Sequence, residues 1–147
     1  MTGITRQQAA EAVAALFGTS ARRTRESRTY APWEAPDQEG KKWRFVYDAS
    51  IVPTRPGGLN RANSSTRHLY HVEMNSPVLE YSEIGKLQAV VRALRRAGAV
   101  VNSSCGMHVH VDAANHTPQS LKNALTIMYA KEDILFKALK VHEDRVQ

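Results

Sequence analysis

Apolar residues recur along the chain with two periods, and the points where one gives way to the other divide it into elements. From Thr5 to Phe17 the period is helical: Ala9, Val13, Leu16 and Phe17 fall on one stripe. Thr5 and Gln8 match a capping box, and Gly18 supplies the stop. Residues 19–42 read as a hairpin, in which "RTYAPWEA" is a strand interrupted by Pro32 and so assigned to an edge, and "PDQEGKK" carries the turn chemistry. In "KWRFVYDAS" the period is two, with Trp43, Phe45 and Tyr47 on one face and Arg44, Val46 and Asp48 on the other. "HLYHVEMNSPVLEY" continues it: Tyr70, Val72 and Met74 share a face, His71 and Glu73 the opposite one, and Pro77 ends the strand. A second helix runs from Ser82 to Ala97, with Ile84, Leu87, Val91 and Leu94 on its stripe and Gly98 closing it. In "VVNSSCGMHVHVDA" the alternation returns, sending Val109 and Val111 one way and His108 and His110 the other. Thr117 and Pro118 then form the N-cap and first turn of a long final helix, which buries Leu121, Leu125, Met128, Leu135 and Leu139.

Helix, hairpin, strand, helix, strand, helix is an α+β order. It predicts a mostly antiparallel sheet with helices packed on one face and polar groups on the other. With 147 residues and 42% hydrophobic content, the chain is read as one domain over residues 1–147. The stretch "IVPTRPGGLNRANSSTRH" is the least ordered-looking, and is either a floppy insertion or a functional flap made basic by Arg55, Arg61 and Arg67. A single cysteine, Cys105, rules out an internal disulfide framework and any CxxC-type zinc site, and fits a reducing, cytoplasmic compartment. The opening residues lack a signal-peptide pattern, and no run of apolar residues is long enough to span a membrane.

Twenty Lys and Arg against 14 Asp and Glu give a net charge of +6. The excess clusters at Arg22, Arg23, Arg25 and Arg28 and again at Arg92, Arg95 and Arg96. Such a balance suits polyanions, nucleic acid or nucleotide phosphates, although a solvated surface is the plainer reading.

The chemistry-bearing residues sit on the strand faces opposite the apolar stripes. Asp48 ends one strand, His71 and Glu73 lie on the second, and His108 and His110 on the third. If the three strands share a sheet, these groups meet on its open side, where imidazole and carboxylate together suit a divalent cation. Gly106 would let a ligand or a neighbouring backbone come close. The His-x-His pair is a weak signal by itself, and its flanks are what raise it.

"CGMHVHVD" resembles the histidine strand of the glutamine synthetase and γ-glutamylcysteine synthetase superfamily. More closely, "WRFVYDASI", "HVEMNSPVL", "VVNSSCGMHVHVDA" and "NALTIMYAKEDILFKAL" resemble, in that order, the amidoligase family of phages and bacteria. The resemblance implies a partial glutamine synthetase catalytic-domain-like fold. It also implies an ATP-dependent carboxylate–amine ligase that forms an amide through an acyl phosphate, with Mg²⁺ or Mn²⁺ as the cation. The substrates would be a carboxylate and an amine, among them an amino acid or a peptide. Carried over residue by residue, Glu73 in "VEMNSP" matches the metal-binding glutamate, His108 a second metal ligand, and His110 the histidine near the ATP phosphates. Asp48 in "DAS" lines the same side and completes the catalytic set, while Asn102 and Ser104 border the ligand. Cys105 is read as packing.

One departure from the family pattern matters. The superfamily opens on a "GxExE" strand whose glutamates bind metal, and a segment like "ITRQQAAEAV" follows it there; here no such strand precedes it. Family chains also continue past the long helix into arginine-bearing segments, of which Arg145 is the counterpart here. The expectation is therefore an incomplete ligase, truncated at both ends. Mg²⁺ prefers an octahedral shell of oxygens. One carboxylate and one imidazole would then hold ATP–Mg weakly or not at all, without turnover.

Two other readings remain open at this level. His108 and His110 with His71 or Glu73 could form a zinc site of hydrolytic type. A small basic nucleic-acid-binding protein would use the arginines and Trp33, but no binding motif is present and carboxylates on the polar face would repel phosphate.

Overall fold

Thr5 starts the first helix as the pattern predicts. Its hydroxyl accepts from the Gln8 amide at 3.2 Å while the Gln8 side chain accepts from the Thr5 amide at 2.9 Å. Helix α1 then runs Arg6–Phe17, and Gly18 stops it in the left-handed conformation, φ 67°. The structure, a computed structural model, describes residues 1–27, 29–54 and 65–141. Two compact units divide the chain, Met1–Cys105 and Gly106–Gln147.

The first unit is built on a four-stranded antiparallel sheet in the order β1 (Arg22–Arg23), β2 (Trp33–Pro36), β3 (Lys42–Val46) and β4 (Glu73–Asn75). The β2–β3 turn is made by Asp37, whose Oδ1 accepts from the Glu39 and Lys41 amides at 3.0 and 2.9 Å, with Gly40 supplying the positive φ. Helix α1 packs on β2 and β3, and helix α2 (Ile84–Arg96) packs on α1. Trp43, Phe45, Val13, Val72 and Val90 are fully buried where these layers meet. The fold is thus α+β with an antiparallel sheet, as the element order implied.

Two further residues thread into the sheet region. Met1 exchanges backbone hydrogen bonds with Val72 at 2.7 and 3.2 Å, and Thr2 exchanges a pair with Val100, both at 2.9 Å. Gly3 follows with φ 85°, and a Cβ built there would stand 2.7 Å from the Gly98 carbonyl oxygen, so only glycine fits. At the far end of the sheet region, Lys86 of α2 reaches the β2–β3 turn, donating to Asp37 Oδ2 at 3.1 Å and to Glu83 at 2.9 Å.

Several expectations need correction. The strand after Pro32 is not at an edge, because β2 is paired on both sides; Pro32 lies ahead of its ladder and removes no bond from it. Residues Arg67–Tyr70 form a 3₁₀ turn, so the strand that holds Glu73 is short. In α2 Leu94 is buried and Leu87 packs against the core as expected, but Val90 and Ala93 complete the buried face while Ile84 and Val91 are exposed.

Within the second unit the expected single long helix is two. Helix α3 spans Pro118–Ala130, capped by Thr117 with Ser120, and helix α4 spans Glu132–Leu139. Lys131 between them leaves helical geometry at φ −120°, ψ 10°. Leu121, Leu125, Met128 and Leu139, predicted to be buried, are exposed. The segment holding His108 and His110 carries no sheet pairing among the described residues, and Val109 and Val111 are 76% and 79% exposed. An alternating sequence is only a capacity for a strand. It needs a neighbouring ladder to satisfy its amides and a surface to cover its valines, and no such ladder is present there. Among the described residues no helix is long and apolar enough to cross a membrane.

Candidate functional site

Directly opposed residues of an antiparallel pair share a face. Phe45 opposes Met74 and Trp33, and this face carries the core. Val46 opposes Glu73, Arg44 opposes both Asn75 and Glu34, and Glu34 opposes Arg22. Glu73 therefore lies on the other face of the sheet, with Arg44, Glu34 and Arg22. The alternation in "KWRFVYDAS" and "HVEMN" anticipated that placement for Arg44, Val46 and Glu73. Glu34 and Arg22 were missed, because only the register with β3 aligns them.

The carboxylates on this face differ sharply. Glu34 is 7% exposed and gathers cations: Arg22 donates to it through Nε and NH2 at 3.2 and 3.0 Å, Arg44 Nε stands at 3.5 Å and Lys42 at 3.8 Å. Arg44 also pairs with Glu26. Glu73 is exposed and, among the described residues, makes no ion pair or side-chain hydrogen bond. Its carboxylate is free to meet a cation from solution.

Asp48 follows β3 in a turn of its own making. Its Oδ1 accepts from the Ser50 amide at 2.9 Å and the Ser50 hydroxyl at 2.7 Å. The hydroxyl bond is the main reason that its pKa lies below the usual carboxylate value, against the opposing effect of burial. Its carbonyl, rather than its carboxylate, meets His71 Nδ1 at 3.0 Å. His71 is 5% exposed, stacks against Tyr47 with ring centroids 4.9 Å apart, and has its pKa lowered chiefly by burial. The expectation that His71 shares the open face with Glu73 is therefore not met, since the ring is packed into the protein. Tyr30 extends the stack on Tyr47 at 4.4 Å, and the Arg6 guanidinium sits 5.7 Å from the Tyr47 centroid. Sequence reasoning had no signal for this aromatic group, which is assembled from three separate segments.

Asn102 and Ser104, in the segment after α2, are brought against the loop that follows β3. Asn102 Nδ2 donates to the Val52 carbonyl at 2.9 Å, Ser104 Oγ accepts from the Val52 amide at 2.8 Å, and Asn102 Oδ1 takes the Ser104 amide at 3.0 Å. Their polar atoms hold the chain at Val52, just ahead of residues 55–64. Cys105 is half-buried and free, its Sγ 3.6 Å from Asn102 Oδ1.

In the second unit His108 and His110 are both exposed, and nearby Asp112 Oδ1 accepts from the Ala114 amide at 2.9 Å. Arg145, with Arg55, Arg61 and Arg28, lies outside the described residues. Within either unit, among the described residues, no three His, Cys, Asp or Glu side chains are grouped to hold a metal ion, so the three-ligand zinc reading gains no support.

The family model described as "putative amidoligase enzyme" matches residues 1–147. No curated protein and no solved structure matches the chain.

Proposed function

We propose, from the premise that this chain belongs to the amidoligase enzyme family, that it takes part in ATP-dependent ligation of a carboxylate to an amine. The observation that carries the reading is Glu73: an exposed carboxylate without a partner among the described residues, on a sheet face where Glu34, two strands away, is already paired with Arg22 and Arg44. Such a group fits a hard divalent cation, which favours carboxylate oxygen. His108 and His110 are exposed; in the family pattern the first would supply a borderline nitrogen donor and the second would lie near the nucleotide phosphates. When bound, ATP with Mg²⁺ or Mn²⁺ would give its γ-phosphoryl group to the carboxylate, leaving ADP, and an amine would then displace inorganic phosphate from the acyl phosphate to form the amide.

The chain's own residues do the holding. Glu73 binds the cation; the family pattern names His108 as its second ligand. Asp48, whose ionised form is favoured by the Ser50 hydroxyl and amide, adds negative charge where the Ser50 turn fixes it. Asn102 and Ser104 set the position of the chain at Val52, from which residues 55–64 leave. Arg145 adds positive charge for the nucleotide, in keeping with the family pattern.

One carboxylate leaves an octahedral cation short of oxygens. Among the described residues β4 pairs only with β3 within the sheet. In the superfamily pattern the remaining oxygens come from acidic residues of a further strand, in a glutamine synthetase-like arrangement. The reading is tested by supplying ATP, Mg²⁺, hydroxylamine and a panel of amino acids and short peptides. The protein is assayed alone and joined to the coding sequence upstream of Met1. Hydroxamate should form with the extended protein and fall to background in its Glu73→Gln variant. Absence of ATP-dependent hydroxamate from every carboxylate in both forms would overturn it.

A further inference from the structure

Arginines that cluster early in the sequence come to one place in the first unit. Arg22 lies on β1, and Lys42 lies on β3 two residues before Arg44, so both share the sheet face that carries Glu73. With Arg23 and Arg25 they line a hollow of about 680 Å³, whose carboxylates are Glu26 and Glu34. Four cations thus face two carboxylates. Both carboxylates are also engaged by Arg44, which pairs with Glu26 and stands 3.5 Å from Glu34.

The imbalance leaves donors turned to solvent. Glu34 takes two of the five N–H groups of Arg22, whose side chain is 63% exposed. Lys42 Nζ stands 3.8 Å from Glu34, beyond hydrogen-bonding distance, and its side chain is 53% exposed. Arg25 is exposed, and among the described residues its side chain makes no ion pair or hydrogen bond. A positive hollow with unspent donors attracts anions.

The carboxylates decide which anion fits. Glu34 sits on β2, between Arg22 on β1 and Arg44 on β3. A ligand must therefore place negative charge at the rim and none at the centre. Strands two apart are separated by about 10 Å, which about three residues of an extended peptide span. Separate acidic side chains can meet Arg22 or Arg25 and Lys42 while the backbone between them passes over Glu34. A nucleic acid carries a charge at every nucleotide, and its bases find no aromatic side chain in this lining.

We propose that this hollow docks a peptide segment bearing acidic side chains about three residues apart, held by Arg22 and Arg25 on one side and Lys42 on the other. Glu73, three strands from β1, lies about 14 Å across the same face, within reach of about five residues of the docked segment. Casting that peptide as the carboxylate substrate rests on the ligase reading; the docking itself does not.

The experiment titrates three probes separately into the ¹⁵N-labelled full chain: a glycine–serine decapeptide with glutamate at every third position, its glutamine counterpart, and a single-stranded oligothymidylate. The Arg22 and Arg25 Nε–H groups and the Lys42 amide are followed by NMR. Saturable shifts with the glutamate peptide, weakening as salt is raised, and none with the glutamine peptide are expected. Arg25→Gln combined with Lys42→Gln should weaken the glutamate peptide about tenfold, each exposed pair supplying about threefold. Arg95→Gln combined with Arg96→Gln removes the same charge from exposed positions of α2 and should leave the affinity unchanged. Equal binding of the glutamine peptide, binding of the oligothymidylate as tight as that of the glutamate peptide, an equal loss in the α2 variant, or unmoved resonances at every concentration would overturn the proposal. Docking of the glutamate peptide without any hydroxamate from it upholds the hollow and counts against the ligase reading alone. Hydroxamate formed equally well from the glutamate and glutamine peptides refutes the substrate role and leaves the ligase reading standing.

Discussion

Replacing Asp37 tests how the sheet is tied to α2. Its side chain is buried, with Oδ1 taking two turn amides and Oδ2 taking Lys86. Hydrogen bonds to a charged acceptor contribute about 1.5–3 kcal/mol, against about 1 kcal/mol for neutral ones. Asp37→Asn keeps the Oδ1 acceptor but makes both amide bonds neutral and turns an NH₂ toward Lys86. The amide bonds alone then lose about 1–2 kcal/mol. Asp37→Ala removes both acceptors, and the loss rises to about 3 kcal/mol, the lower end of the range because surface-turn amides can rehydrate. With a urea slope of about 2 kcal/mol per M, the midpoints should fall by about 0.5–1 M and about 1.5 M.

Acid gives the sharper check. The folded Asp37 pKa is depressed, through the bonds from Lys86 and the Lys41 and Glu39 amides outweighing the cost of burial. Its contribution is therefore complete above the unfolded carboxylate pKa and lost as pH falls through the folded one. Glu83, held down to about 2 by Lys41, the Glu80 amide and Lys86, stays charged across that interval. The gap between wild type and Asp37→Asn should thus be full at pH 7 and shrink below pH 3.8. Equal urea midpoints at pH 7, or a gap that does not change with acid, would refute the assignment.

Other outcomes follow from the same contacts. Gly3→Ala forces a Cβ to 2.7 Å from the Gly98 carbonyl at a positive φ, and should cost more than about 2 kcal/mol in urea unfolding, whereas Gly40→Ala, with open space at the Cβ, should cost less. His71 has a lowered folded pKa, so the unfolded chain binds more protons as pH falls from 7 through 6.5; stability should decline over that interval, and His71→Phe should flatten the decline. Thr5→Ala removes the cap of α1 and should lower stability by about 1 kcal/mol, read as a shift in the thermal midpoint.

The parts of the fold legible in the sequence were those specified locally. A capping box and a terminal glycine bounded α1 to within a residue, and the strict alternation of Trp43 and Phe45 against Arg44 and Val46 gave both the strand and its buried face. What failed depended on partners distant in sequence. Pro32 looked like an edge signal because β1, two residues long, could not be foreseen as a second neighbour for β2. Val90 and Val91 are adjacent and equally apolar, and only the packing of α2 on α1 chooses between them. The break at Lys131 has no glycine or proline to announce it. Of the candidate site, Glu73 lay on the expected face, but Asp48, read as the end of a strand, falls two residues beyond β3 in a turn closed by Ser50. His71 turned inward against Tyr47, an outcome set by a stack no single stretch encodes. Arg6, a polar residue on a helix read only for its apolar stripe, was passed over for the same reason.

The central claim is that Glu73 holds the cation that accompanies ATP. Paramagnetic broadening by Mn²⁺ reports even a weakly occupied site, so the direct measurement is a titration of Mn²⁺ with ATP into the ¹⁵N-labelled chain. The account expects selective broadening of the Glu73 and Met74 amides, lost in Glu73→Gln. Broadening that leaves Glu73 sharp, or that survives unchanged in that variant, would contradict it.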